Sequence, residues 1–510
     1  MNRLRRRFQA VDLSIAVVAM SVLLLYVALG GNYSFVINPA VRHQTMDNFG
    51  ANDAWYLQNI GGWSETNKTH IADLLFSTTQ GIGLSCWRFN LGAGINRETI
   101  HDRWRTVESF EVAPGIYDWT RQANERWFLR AAKAHGVRQF LATVYSPPLR
   151  LTRNGLSNLG SDTNSTTNLK PGAEEEFARY LTDILVHFRD NRDESERIEF
   201  DYVLPVNEPQ WDWQRGQEGN RASNTDLKRI YLALARQLKL AGLKTKILGP
   251  ESGSIPDMYS MDEEASQKWH ADYGDYLNWI CPDPALIAGF NHVISYHSYW
   301  SDQIPDRLVS HREQLGRATA KYPDWKLWQS EYCVMEQGRD LSMDTALRVA
   351  RIIHCDLTLA NASAWQWWLA VAGEDYKSGL LYTNHKRAGD SDEIIESKTF
   401  WMLGNFSRFI RPGMVRVEVA GSQEIKGVMV SAYLAPGTGQ LIVVFVNMTG
   451  KRQMVSTGLA SQPAGANPMH KFATCLTSVR ENLQLGMPVE IPGQLALPPR
   501  SVLTLVGNLR

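Results

Sequence analysis

The sequence has no surplus of charge of either sign: its 510 residues carry 53 Lys and Arg against 53 Asp and Glu. That balance excludes a nucleic-acid binder, which needs a basic excess to displace counterions from phosphates, and a tail built from one long run of like charge. Cysteine is scarce. The five thiols, at 86, 281, 333, 355 and 475, show no C-x-x-C or Cys/His metal spacing. An odd number leaves at least one unpaired within the chain, and a chain this long does not depend on disulfides. They read as small buried apolar residues with at most one or two bridges. Short repeats and low-complexity tracts are missing too, and after residue 30 no segment is long and apolar enough to span a bilayer.

The one long apolar run, Leu13 to Gly30, follows Arg3, Arg5, Arg6 and Arg7, which is the charged n-region and apolar h-region of an export signal. Its length lies between a usual h-region and a spanning helix, so a cleaved signal and an uncleaved anchor both remain open, and Ala28 and Gly30 offer a small-x-small cleavage site. Either way the arginines stay cytoplasmic and the remainder is translocated, so the expected location is secreted or anchored outside the cytoplasm. Without residues 1–30 the chain carries 49 basic and 52 acidic groups, a slightly acidic balance.

What the sequence does have is aromatic residues: 17 Trp, 18 Tyr and 17 Phe. Flat apolar rings with a polar handle suit a sugar-binding groove, although most of them are expected to be core.

Strand-like and helix-like segments alternate. Candidate strands begin near Asp47, Leu84, Arg138, Phe200, Lys244, Phe290, Lys326 and Ala362, and helical spacing marks Asn124–His135, Glu174–Arg189, Asp226–Ala241 and Asp344–Ala360. Eight such units predict a (β/α)8 barrel over residues 46–410. Strand starts lie 36 to 62 residues apart, so several strand-to-helix loops must be enlarged. The Asn/Ser/Thr/Gly-rich stretch Asn154–Gly172 reads as a mobile surface loop. From 411 to 510 the pattern changes to short alternating strands with Gly, Pro and Asn turns: VRVEVAG, GVMVSAYL, LIVVFVNMTG, VEIPG and VLTLVG. Residues 31–45 are strand-like as well and are expected to pair with this unit, giving an all-β side sandwich formed from both chain ends.

In a barrel of this kind chemistry sits at the carboxyl ends of the strands. Glu208, in LPVNEPQWDW, ends the fourth candidate strand and Glu331, in LWQSEYCVM, ends the seventh. Two carboxyl groups facing one groove are the apparatus for cleaving an acetal, one protonating the leaving oxygen while the other stabilises or attacks the anomeric carbon.

Asn207-Glu208-Pro209 at strand four with Glu331 at strand seven resembles the retaining glycoside hydrolases of barrel fold. HQTMDNFGANDAW, WRFNLGAG, YSPP, VNEPQWDWQRGQEG, WQSEY, WQWWLAVAGEDYKSGLLY and LPPRSVLTLVG, in that order, are similar to glycoside hydrolase family 30 and within it to its endo-β-1,6-galactanase-like group. The resemblance implies Glu208 as acid/base, Glu331 as nucleophile, and a side sandwich fused to the barrel. It also implies Asn207 as a donor or acceptor to the sugar hydroxyl beside the anomeric carbon. Arg88 on strand two is expected to donate to Glu331 and lower its pKa. His297 and Tyr299 on strand six are expected to contact Glu331 or the substrate, and Asp53 and Trp55 at the end of strand one the sugar on the non-reducing side. On strand eight Trp365 and Trp367 share one face and Trp368 the other, so one set faces the barrel mouth and supplies a stacking ring.

One departure concerns strand three, where family members often carry an aromatic after Ser-Pro-Pro. This chain has Arg150 in Ser146-Pro147-Pro148-Leu149-Arg150-Leu151, which reads either as a site for a charged substituent such as a uronic acid or as a loop arginine facing water. Other family 30 activities remain open: β-glucosidase or glucosylceramidase-like, β-1,6-glucanase and xylanase. So does a catalytically silent carbohydrate-binding protein, although a binder has no use for a spaced acid and nucleophile. A metal-dependent barrel hydrolase would need His or Asp ligands at several strand ends, and strand one has no H-x-H. No cofactor and no metal is expected. The partner is a polysaccharide or oligosaccharide, with no nucleic acid and no membrane beyond an uncleaved N-terminal anchor; the sequence carries no sign of oligomeric state.

Overall fold

The computed structural model describes residues 33–384, 391–421, 423–460 and 469–509. The expected export signal at 1–30 lies outside them. Among the described residues no helix is long and apolar enough to cross a membrane.

Eight parallel strands form the barrel: Asn48–Asn52, Cys86–Leu91, Gln139–Val144, Tyr202–Leu204, a fifth in two pieces, Lys246–Ile247 and Pro250–Ser252, then Val293–His297, Lys326–Glu331 and Ala364–Ala372. Neighbours pair in order, and strand eight returns to strand one. The first piece of strand five pairs with strand four and the second with strand six, which closes the ring. A helix layer surrounds it. Glu174–Arg189 matches the sequence reading, and Ala123–Ala134, Asn224–Leu240 and Met343–Thr358 match it to within two residues. Their starts are set by local chemistry: Ser223 and Asp226 form a reciprocal capping box, and Ser342 caps Asp344.

The barrel interior is graded. Its amino end is filled by Cys86, Leu141, Tyr202, Leu204, Leu248, Val293, Trp328 and Ala364, a dry apolar plug. The indole of Trp328 packs edge-on against Tyr202 and donates to Asp47. Farther up the same inward rows stand Arg88, Glu251, His297 and Ser330, all fully buried. An apolar floor below a charged upper layer leaves the carboxyl end as the one place where those charges can meet a ligand.

The side unit is a nine-stranded sheet in which Tyr33–Thr45 runs antiparallel to Val415–Gly421 and parallel to Gln453–Leu459. It has two apolar faces. Phe35, Ile37, Val430, Val443 and Leu505 enclose the sheet's own core, whereas Met429, Tyr433, Ile442, Val444 and Val502 pack toward the barrel. Alternation along Val428–Leu434 produces this division. Asn405, on helix Lys398–Ser407, donates to Cys475 O and Thr504 Oγ1 and so ties the sheet to the helix layer.

The stretch Asn154–Gly172 differs from the expected mobile loop. Ser157, Asn158, Leu159 and Asn168 are buried, and the Asn168 amide donates to Asn154, Leu156 O and Asn158 O. Asn-rich composition here replaces a backbone ladder with side-chain hydrogen bonds. The loop docks on the segment carrying Trp213 through Leu159 N to Trp213 O.

Two measurements check this architecture. Phe35→Ala empties part of the sandwich core, and chemical denaturation should show a loss of about 3–5 kcal/mol; a loss below about 1 kcal/mol would mean that the N-terminal strand is not part of a packed core. Buried acids supply the second. Burial pushes Glu125 up to about 7, Glu218 to about 8, Asp257 to about 7 and Asp53 well above the carboxylate range. Folded pKa values above the unfolded ones mean that their contribution is complete below about 4 and is lost as pH rises to 7 or 8. Buried His354, held down near 3 by burial and by Arg416, works the other way below pH 6.5. These acids outweigh His354 and the lowered His187 and His311, so the melting temperature should fall between pH 5 and about 8.5. A melting temperature that rises across this range contradicts the assignment.

Candidate active site

Arg88 projects into the barrel from strand two and is fully buried. Its Nε donates to Thr143 Oγ1, Nη1 to the Ser330 carbonyl, and Nη2 to Glu251 Oε2 at 2.9 Å, with Glu331 Oε2 3.4 Å from the same nitrogen. His297, from strand six, has Nδ1 2.9 Å from Glu208 Oε1 and Nε2 3.2 Å from Glu251 Oε2. Its Nδ1 is also 3.8 Å from Glu331 Oε1. Burial opposes a charge on this ring, yet Glu331 and Glu251 outweigh it and push the imidazole up to about 10. A charged ring donates from both nitrogens, to Glu208 on one side and Glu251 on the other.

Glu208 and Glu331 face each other across this floor. One carboxylate oxygen of each and a His297 ring nitrogen all lie within 4.8 Å of one another. Local backbone features aim both side chains. Strand seven carries an extra residue against strand six, Gln329 opposing Tyr296 and Glu331 opposing His297, so Ser330 and Glu331 both reach the interior. Glu208 sits at φ 43°, with its N–H donating to Glu251 O and its carbonyl accepting from Trp213 Nε1. Gly253 makes room for it, since a Cβ there would stand 2.2 Å from Trp211 Nε1 and 3.1 Å from the Glu208 carboxyl carbon. Trp55, Glu208, Trp213, Glu251 and Trp300 all adopt positive φ. Such backbone persists where surrounding packing over-determines it, at roughly 1–3 kcal/mol each.

Tyr299 OH donates to Glu331 Oε1 at 3.1 Å, while Oε2 makes no hydrogen bond. Burial raises the Glu331 carboxyl to about 7, and the nearby Glu208 and Glu251 charges add to this against the pull of His297 and Arg88. Arg88 does not donate to Glu331 as expected, its Nη2 going to Glu251 instead; from 3.4 Å it still pulls the Glu331 pKa down, but dehydration beside a second carboxylate is the larger effect.

Above them is a cavity of about 630 Å³. Trp55, Trp368 and Tyr145 line one part, Trp368 standing edge-on to both of the others. Arg105 lies 4.3 Å over the Trp55 ring and is paired with Glu374 at 2.7 Å. Trp211, Trp213, Met335 and the half-exposed Trp300 form other walls and the rim. Asn207 also lines the cavity, 3% exposed with Oδ1 lacking a partner.

Of the residues expected here, Glu208, Glu331, Asn207, Arg88, His297, Tyr299 and Trp55 are brought together. Trp365 and Trp367 are not. Their strand face points away from the cavity, Trp365 Nε1 donating to Asp356 in the helix layer and Trp367 Nε1 to Ser378 O in the turn after strand eight, and it is Trp368 that faces the cavity. Asp53 is likewise off the cavity. It is fully buried and its Oδ1 accepts from Asn90 N, bracing strand one against strand two. Arg150 is held by Glu111 and Glu176, so it offers no charge to a ligand. The residue missed altogether is Glu251, in GPESG, although it too is a carboxylate at a strand end. Trp211 and Trp213 stood in the quoted VNEPQWDW without being singled out.

Glu208, His297 and Glu331 are grouped closely enough to offer three ligand atoms to an ion. With Arg88 3.4 Å from Glu331 and the imidazole already charged, a divalent cation there would face two positive groups. The donor set suits proton chemistry better.

Comparison with known proteins gives the same direction. A family profile described as O-Glycosyl hydrolase family 30 matches residues 32–382. The chain is 24% identical over 468 residues to an endo-beta-1,6-galactanase of Hypocrea rufa, covering 85% of each chain. It is 23% identical over 444 residues to a glucuronoxylanase of Bacillus subtilis (strain 168), covering 84% of this chain and 88% of that one. A crystal structure of a conserved exported protein from Bacteroides fragilis superposes with a TM-score of 0.80 at 30% identity, covering 93% of this chain and 100% of the other. With the match spanning most of the barrel and the two facing carboxylates in place, the chain belongs to glycoside hydrolase family 30.

Proposed function

We propose that the protein is a secreted or surface-anchored retaining β-glycosidase that cleaves a neutral β-linked polymer internally, a β-1,6-galactan first. The observation that carries the mechanism is the carboxylate spacing. One oxygen of Glu208 lies within 4.8 Å of one of Glu331, closer to the roughly 5–5.5 Å between carboxyl groups that direct attack uses than to the roughly 6.5–9.5 Å that inversion needs to admit a water. In the first step Glu208 gives its proton to the glycosidic oxygen as Glu331 attacks the anomeric carbon. The leaving sugar departs as an alcohol and a glycosyl ester of Glu331 remains. In the second step Glu208 takes a proton from water, whose oxygen attacks the same carbon and frees Glu331. Tyr299 and Arg88 hold the Glu331 rotamer, and the unpartnered Asn207 Oδ1 accepts from the sugar hydroxyl beside the reacting carbon.

Charge supports a neutral substrate. The cavity is lined by Glu208, Glu331, Glu374 and Asp375 against one basic side chain, Arg105, which Glu374 and Trp55 already occupy. A uronic acid would find no free cation among the described lining residues, so the likeness to a glucuronoxylanase is read as shared family and not as shared substrate. The galactanase relative supplies the choice of galactan, and β-1,6-glucan is the second reading. Export is supported by the arginine-led apolar N-terminus and the exported structural neighbour.

Glu208→Ala and Glu331→Ala should each lower hydrolysis on the order of 10³-fold or more without unfolding the chain, and azide should restore Glu331→Ala as a glycosyl azide of inverted configuration. The assay is product analysis on β-1,6-galactan, β-1,6-glucan, glucuronoxylan and an aryl β-glucoside. Near-normal turnover in either variant ends the catalytic assignment, and fastest cleavage of glucuronoxylan ends the neutral-substrate reading.

A further inference from the structure

Glu251 has no part in the steps above, yet both of its ends touch groups that do. Its backbone carbonyl accepts from the N–H of Glu208, which holds the positive-φ turn that aims the acid. Its side chain is fully buried at the centre of the floor. Oε2 accepts from Arg88 Nη2 at 2.9 Å and from His297 Nε2 at 3.2 Å, while Oε1 accepts from Ser330 Oγ at 2.5 Å. Arg88 and His297 are in turn the cations beside Glu331, and His297 is the donor to Glu208.

We propose that Glu251 is a positioning residue for glycoside cleavage, a permanent anion that fixes Arg88 and His297 and through them aligns the acid and the nucleophile. This rests on the catalytic reading of Glu208 and Glu331. A carboxylate without solvent persists where donors surround it, and here three do. The groups facing it are Arg88 from strand two, Tyr145 from strand three, Glu208 beyond strand four, His297 from strand six, Ser330 and Glu331 from strand seven, and Tyr231 from the helix behind. Burial alone would raise its carboxyl, but Arg88, His297 and Ser330 bring it down to about 2, so it stays ionised through the working range. Glu251 itself is too enclosed to meet substrate: Arg88, His297 and Ser330 occupy its oxygens, and it does not line the cavity. Its positive φ of 59° adds to the case, because the strained backbone is what lets the carbonyl reach Glu208 while the side chain turns inward.

The test is Glu251→Gln, which keeps shape and removes charge, beside Glu251→Asp, which keeps charge and shortens the reach. For Glu251→Gln, kcat should drop on the order of 10–100-fold on the glycan that wild type cleaves fastest, with KM within about 3-fold. His297 loses one of its carboxylate partners, so its ring should release its proton at lower pH than in wild type by histidine-resolved NMR, and the alkaline limb of kcat should move down with it. Glu251→Asp should keep the high His297 titration and still lose kcat. Wild-type kcat in Glu251→Gln, or an unshifted His297 titration, overturns the proposal; if that variant does not fold, wild-type kcat in Glu251→Asp overturns it. Should wild type cleave no glycan at all, the catalytic reading fails while the His297 titration still reports on Glu251.

Discussion

The structure turns on a cluster of buried charge: the guanidinium of Arg88 and the imidazole of His297 set among the carboxyls of Glu208, Glu251 and Glu331. None of these groups is tolerable alone away from water, where an unpaired charge costs several kcal/mol. Together they set two basic groups among three carboxyls, with Arg88 and His297 each within 4 Å of at least two of them. That mutual pairing lets a dry, rigid floor exist below a sugar-sized cavity.

The rest of the fold is arranged to supply and protect this cluster. The apolar plug from Cys86 to Trp328 keeps solvent out from below, and the closed strand ring fixes Arg88, Glu251, His297 and Glu331 on rigid elements. The bulge at Ser330 and the positive φ values of Glu208 and Glu251 bend the backbone where three carboxyls must converge. Loops then complete the walls. The Asn-rich segment from 154 to 172 braces Trp213, whose indole in turn holds the Glu208 carbonyl. The side sheet, completed by the strand Tyr33–Thr45, backs the helix layer.

Some of this could be read from the sequence and some could not, for physical reasons. Glu208 and Glu331 were legible because a carboxylate at the end of an apolar strand is a local pattern with one location in a barrel. Glu251 obeys the same pattern, but its meaning depends on Arg88 and His297, 163 and 46 residues away in the chain. On strand eight, WQWW is apolar on both faces because both are buried, so parity divided Trp365 and Trp367 from Trp368 without saying which face looked inward. The side-sheet strands Gln453–Leu459 and His470–Thr477 escaped detection because exposed Met454, Lys471 and other edge positions blur the alternation. Asp53 follows a strand end as Glu208 does, but its hydrogen bond from Asn90 N turns it to a structural role.

The account's central claim is that Glu331 attacks the anomeric carbon directly, with no intervening water. Proton NMR of the first-formed reducing end during hydrolysis of a β-linked substrate reads this most directly. The account predicts that the β-anomer appears first and then mutarotates; initial release of the α-anomer would contradict it.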